Sequence, residues 1–209
     1  MNTHLVIDVS ELPASTMDHR SPIWWGNLML LCIETMMFAL LIGAYFYIRQ
    51  NFYEWPPPKV HDPPAIYDTA PRLVVPTANL ILLLVSCFPM AWVDRACLRR
   101  NQMSVTLGLI VVILCGIGAI AFRFLEFHSL LFKWNENAYS STIWTILGMH
   151  LLHLFTGTLE LGLLLSWMLL KEMDVKHARD IRVTAAYWYW IAGVWLVLYL
   201  IVYLSPRFI

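Results

Sequence analysis

The sequence predicts an all-α, polytopic membrane bundle of five transmembrane helices with its N-terminus in the cytoplasm. Three observations carry that prediction. Five apolar stretches, each about long enough to cross a ~30 Å hydrocarbon layer, recur along the 209 residues. Hydrophobic residues make up 59% of the chain and charged residues 13%, with a mean hydropathy of +0.63. Lysine and arginine are also divided unevenly between the two sets of loops, which fixes the expected orientation. The formal net charge is zero and no basic run is present, so a nucleic-acid partner is excluded.

Residues 1–23 read as a cytoplasmic N-terminal tail. They are polar, lack the apolar core of a cleaved signal peptide, and leave the first span to act as its own insertion signal. A single membrane domain over 24–206 follows.

The first span is Trp24–Ile48, with one ionisable residue, Glu34. An α-helix of that length reaches ~37 Å and places Glu34 ~15 Å deep, near the midplane. A carboxyl there costs roughly 2.5–3.5 kcal/mol on insertion scales, so it faces other helices, protonated or hydrogen-bonded. Two readings stand at this point: a proton-relay or ligand site, and a neutral acid that joins two helices.

Between the first and second spans, Asn51–Pro71 contains six prolines. This loop is expected to be extended and non-helical, lying on a partner or on the domain itself. The second span is about Val74–Val93, with Pro76, Pro89 and a polar Asn79. The third, about Ser104–Leu125, carries Gly108, Gly116, Gly118 and Ala119, small surfaces for close helix contact. Arg123 and Glu126 end it, and as a pair at the outer surface they read as a snorkelling interfacial ion pair. The fourth span is about Thr142–Leu170 and the fifth about Ala185–Leu204, where Trp188 and Trp195 share one face as packing and belt residues.

Arg20, Arg95, Arg99, Arg100, Lys171, Lys176, Arg179 and Arg182 make eight basic residues on the N-terminal side, against five on the other: Arg49, Lys59, Arg72, Lys133 and Arg207. By the positive-inside rule the N-terminus is cytoplasmic and the C-terminus outside. No internal repeat is visible, and an odd number of spans argues against an inverted-repeat transporter.

The fourth span holds the densest polar content. His150 and His153 are three apart and share one side of the helix, with Gly157 one turn on. Glu160 lies at a depth similar to that of Glu34. No other span has a histidine, so a bis-histidine haem or a metal site lacks ligands, and two hydrogen-bonded bundle histidines are the plainer reading. Cys32, Cys87, Cys97 and Cys115 are scattered and read as free thiols. There is no nucleotide loop, haem-attachment motif or nucleophile elbow, so no catalytic residue is assigned.

Several segments resemble the short, five-helix bacterial form of haem-copper oxidase subunit III. They are Trp24-Trp25-Gly26 with Ile33-Glu34-Thr35-Met36-Met37-Phe38, Thr77-Ala78-Asn79 to Ser86, and Phe124-Leu125-Glu126-Phe127. Ser140-Ser141-Thr142 with Gly148-Met149-His150-Leu151-Leu152-His153 and Gly157, and Ala185-Ala186-Tyr187-Trp188 to Trp195-Leu196, complete the series in the family's order. The chain departs from the family pattern where Tyr189 and Ala192 replace a histidine and an aspartate, where Arg123 replaces a glutamine, and where Glu160 replaces an apolar residue.

The resemblance implies an accessory subunit without cofactors of its own, haem and copper being held by partner subunits. It implies packing beside catalytic subunit I and subunit II in a bacterial plasma membrane, bound phospholipid, and support for proton uptake. By that analogy Glu34, His150 and His153 would form its buried polar cluster, which the span residues Asn79 and Glu160 are expected to join, and Arg99, Lys171 and Arg182, from their charge and height, are expected to meet lipid headgroups. The same fold serving a quinol oxidase, a nitric oxide reductase or a respiratory supercomplex is the nearest alternative. A stand-alone transporter or membrane haem protein is the alternative of another class.

Overall fold

A computed structural model describes residues 22–58, 70–171 and 175–208. The expected N-terminal tail up to residue 21 and the 59–69 part of the proline-rich loop lie outside the described residues. Five long helices account for most of the rest: α1 (Pro22–Arg49), α2 (Val74–Leu98), α3 (Gln102–Ser129), α4 (Ala138–Leu170) and α5 (Val175–Tyr199). The last continues through a π-helical turn, Leu200–Leu204, into a short α6 (Ser205–Phe208). Each of the five is long and apolar enough to cross a membrane.

The helices run further than the apolar stretches that announced them. α3 starts two residues earlier and ends at Ser129, a full turn beyond Leu125. Asn101 starts it, its side chain accepting from the Ser104 amide, and Asn137 caps α4 through Ser140 in the same way. Only Arg99–Asn101 separate α2 from α3, with Arg100 in the left-handed region at φ 52°. The expected loop over 171–183 is largely helix. Its polar first turns are amphipathic, with Ala178 and Ile181 buried while Arg179 and Arg182 are half-buried, Arg182 turning to Asp94 of α2. Charge alone does not end a helix whose other face is packed.

Alternating helices place the N-terminus of α1, the α2–α3 turn and the α4–α5 turn at one end of the bundle. α2 packs on α3, α3 on α4, α4 on α5 and α5 back on α2, so four helices close a ring. α1 lies outside that ring, against α4 and α5. The core inside the ring is filled by Leu83, Met90, Leu109, Ile143, Ile146, Leu147, Trp188 and Trp195. Lipid tails are as apolar as these side chains, so close packing and interhelical hydrogen bonds hold the ring. Glycine permits the closest approaches: a Cβ on Gly157 would come within 2.8 Å of Ile191 Cδ1 and 3.3 Å of Tyr187 Cε1.

The α2–α5 seam shows those hydrogen bonds in series. The Thr77 and Tyr199 hydroxyls lie 2.6 Å apart, Trp188 Nε1 donates to Ser86 Oγ over 2.9 Å, and Arg182 Nε meets Asp94 at 3.1 Å. Cys97, nearest the end, donates its thiol to the Ala178 carbonyl. The described residues of the proline-rich loop lie on the domain: Trp55 donates to the Tyr45 hydroxyl and sits edge-on to Tyr139. All four cysteines are free.

Candidate functional site: two polar nodes on one helix

The residues expected to form one polar cluster are divided by the structure between two nodes and a seam. Spacing of three on an α-helix leaves two side chains about 60° apart, enough for His150 and His153 to meet different neighbours.

His150 turns into the ring. Its Nε2 lies 3.1 Å from the Ile191 carbonyl of α5, and its Nδ1 lies 3.0 Å from Arg123 Nη2 of α3. Arg123 also binds Glu126 at 2.6 Å, and its guanidinium lies 3.7 Å over the Trp195 ring. Tyr203, in the π-helical turn, closes the group by donating its hydroxyl to Glu126. Both Arg123 and Glu126 are 0% exposed, which overturns the snorkelling surface pair. The extra turn of α3 and the π-helical end of α5 carry the bundle past them, so the pair is inside.

A guanidinium can only donate, so His150 Nδ1 must accept, and its proton is on Nε2, donated to Ile191. His150 is thereby a fixed neutral imidazole. Arg123 and Glu126 balance each other, and removing either would strand the other in a dry core.

His153 turns outward, towards α1. Its Nδ1 lies 2.6 Å from the Met149 carbonyl and its Nε2 lies 2.9 Å from Glu34 Oε2. A carbonyl only accepts, so Nδ1 carries a proton here. One further proton must then lie between Nε2 and Oε2. The pair is either a neutral acid on a neutral imidazole or a carboxylate on an imidazolium, and its net charge is zero in both forms. Phe38 and Trp190 flank the imidazole with ring centroids 5.3 Å away. The Glu34 side chain is 26% exposed, so the pair is reachable from one side.

That side is a groove of about 620 Å³ between α1, α4 and the start of α5, with Glu34, His153, Glu160, Asn27, Thr156 and Tyr187 among its lining residues. Glu160 accepts from Thr184 Oγ1 at 2.7 Å, and Asn27 reaches the Val183 carbonyl at 3.5 Å. Along α1 the groove runs from Ile23 to Met37, ~21 Å of helix. Asn79 belongs to neither node: it is 0% exposed on α2, facing the ring interior.

Arg99 and Lys171 are exposed, at the same end of the bundle as the groove-lining Ile23 and Val183. Lys171 Nζ sits 4.4 Å over the Trp167 ring, and Arg182 shares its charge with Asp94. Among the described residues no three His, Cys, Asp or Glu side chains converge as metal ligands. Sequence reasoning missed Arg123, Glu126 and Tyr203 as members of a buried node. Two opposite charges one turn apart inside an apolar run were the available signal.

Comparison with known proteins gives one family. The model of cytochrome c oxidase subunit III matches residues 6–206. Among curated relatives, cytochrome c oxidase subunit 3 of Pongo pygmaeus is 28% identical over 181 residues, 86% of this chain and 68% of that protein. The Petromyzon marinus protein of the same name is 26% identical, covering 88% of this chain and 72% of its own length. That of Spodoptera frugiperda is 30% identical over 129 residues, 62% of this chain and 88% of that protein.

Proposed function

The chain belongs to the cytochrome c oxidase subunit III family, and from that premise we propose that it serves as a non-catalytic subunit of a respiratory haem-copper terminal oxidase. The complex it joins reduces O2 and pumps protons. Haem and copper are held by the catalytic partners, subunits I and II, and this chain stabilises them, binds phospholipid and supports proton uptake. The membrane is a bacterial plasma membrane with the chain's N-terminus on the cytoplasmic side, as the short five-helix resemblance and the loop charges suggest; the relatives compared are eukaryotic.

The observation that carries the reading is the Glu34–His153 pair on the wall of a membrane-depth groove. A pair sharing one proton can pass it between carboxyl and imidazole with no change in net charge, so the proton moves without creating an isolated charge in hydrocarbon, which suits the pair to a supporting proton role. The groove itself is long enough for an acyl chain. Arg182, next to the groove-lining Val183, with Arg99 and Lys171 at the same end of the bundle, offers positive charge for a phosphate headgroup.

The test is recovery of the tagged chain from native membranes. It should come with a larger haem- and copper-bearing subunit and with phospholipid, read by mass spectrometry of the intact complex. Turnover of complexes carrying Glu34→Ala or Glu34→Gln should decay faster over time than that of the unaltered complex. A chain purified alone that carries haem, or that transports a solute in liposomes unaided, would overturn the proposal.

A further inference from the structure

The ring interior holds a group of hydrogen-bonding atoms that neither polar node uses. Asn79 Oδ1 and Nδ2, Trp195 Nε1 and Arg123 Nε are all buried, and none has a hydrogen-bond partner among the described residues. An N–H or amide oxygen left unpaired at membrane depth is costly, because lipid offers nothing in exchange.

These atoms are neighbours. α2 and α5 are antiparallel, with contacts in register from Thr77–Tyr199 through Ser86–Trp188 to Asp94–Arg182 and Cys97–Ala178. Seven residues from Ser86 along α2 is Asn79, and seven from Trp188 along α5 is Trp195. Two helical turns in opposite chain directions bring both steps to the same level and nearly the same face, so Asn79 is set against Trp195 as Ser86 is set against Trp188. Arg123 joins them from α3, because its Cζ lies 3.7 Å over the Trp195 ring. Nε is bonded to that Cζ and Nε1 belongs to that ring. The two nitrogens are therefore at most about 6 Å apart, close to the ~5–5.8 Å that one water spans with two hydrogen bonds of ~2.9 Å.

We propose that the junction of α2, α3 and α5 is a binding site for one internal water, held by Asn79, Trp195 and Arg123. The water oxygen accepts from Trp195 Nε1–H and Arg123 Nε–H, and one water hydrogen is donated to Asn79 Oδ1. Three partners match the usual coordination of a buried structural water. One molecule thus accounts for three of the four orphan atoms and gives a partner to the third nitrogen of a guanidinium whose other two meet Glu126 and His150. The site ties α2 to a node that otherwise joins only α3, α4 and α5.

The test uses the intact oxidase complex, imaged by electron cryomicroscopy at a resolution that shows ordered waters. A peak within ~2.7–3.2 Å of Asn79, Trp195 Nε1 and Arg123 Nε is expected, and it should vanish in Asn79→Leu. In thermal melts, Asn79→Leu and Trp195→Phe should each lower the melting temperature, with the double variant falling short of their sum. A direct Asn79–Trp195 hydrogen bond with no peak between them overturns the proposal, and so do strictly additive shifts. The map of the unaltered complex decides the matter even where a variant does not assemble.

Discussion

His150 and His153, three residues apart on α4, are oriented by opposite ring nitrogens: His150 accepts at Nδ1, where His153 must donate. Arg123 forces His150 to carry its proton on Nε2, and the Met149 carbonyl requires a proton on Nδ1 of His153. One histidine is locked, while the other shares a movable proton with Glu34. The two therefore answer substitution differently.

Replacing Glu34 by alanine leaves His153 Nε2 without a partner at membrane depth. The expected loss is ~1–3 kcal/mol, the cost of an unsatisfied buried polar group. Glu34→Gln keeps a hydrogen bond, because its amide can donate to Nε2, and should be close to unaltered in stability. Thermal melts of the purified complex read both values. Equal melting of the alanine and glutamine variants would remove the hydrogen bond from the account.

Arg123→Leu should be far more damaging. It strands the Glu126 carboxylate and His150 Nδ1 inside the ring, and breaking a buried pair from one side costs ~3–5 kcal/mol. Adding Glu126→Leu to it should recover a substantial part, since a buried pair replaced whole by apolar groups loses little. If the double variant is less stable than Arg123→Leu alone, the two charges are not balancing each other.

The Asp94–Arg182 pair offers the contrast. Both side chains are 32% exposed, so Arg182→Met should shift stability by no more than ~1 kcal/mol, and less at high salt. A loss comparable to that of Arg123→Leu would mean that the pair is enclosed in the assembled complex.

Gly157→Ala probes the α4–α5 contact. The added methyl meets Ile191 Cδ1 at 2.8 Å, so α5 must shift or Ile191 must change rotamer, at ~1–3 kcal/mol. Ile191 also provides the carbonyl bound by His150, so the first node should loosen too. A crosslinking or melting assay that cannot distinguish Gly157→Ala from the unaltered complex would contradict this packing.

The five spans were legible because hydropathy over ~20 residues is a strong signal and lipid leaves the backbone few alternatives. Their ends were less so. The start of α5 is charged and was read as loop, although Ala178 and Ile181 give it a buried face. The depth of Arg123 was misjudged for a related reason. One unforeseen turn of α3 was enough to move a surface pair into the core. The Glu34–His153 partnership was half legible, since both residues stood out singly. Splitting His150 from His153 needed the positions of α1 and α3 around α4, which no spacing within one helix supplies.

The placement of α1 outside the ring has a consequence for biogenesis. Its acid is the earliest membrane-depth charge to be synthesised, yet the imidazole that satisfies it lies 119 residues downstream. At ~5–20 residues per second, roughly 6–24 s of translation pass before α4 emerges. For that interval the newborn first span must sit in the insertion machinery, or beside a chaperone, with an unsatisfied carboxyl. The surface against which α1 packs, on α4 and α5, exists only once those helices have been made.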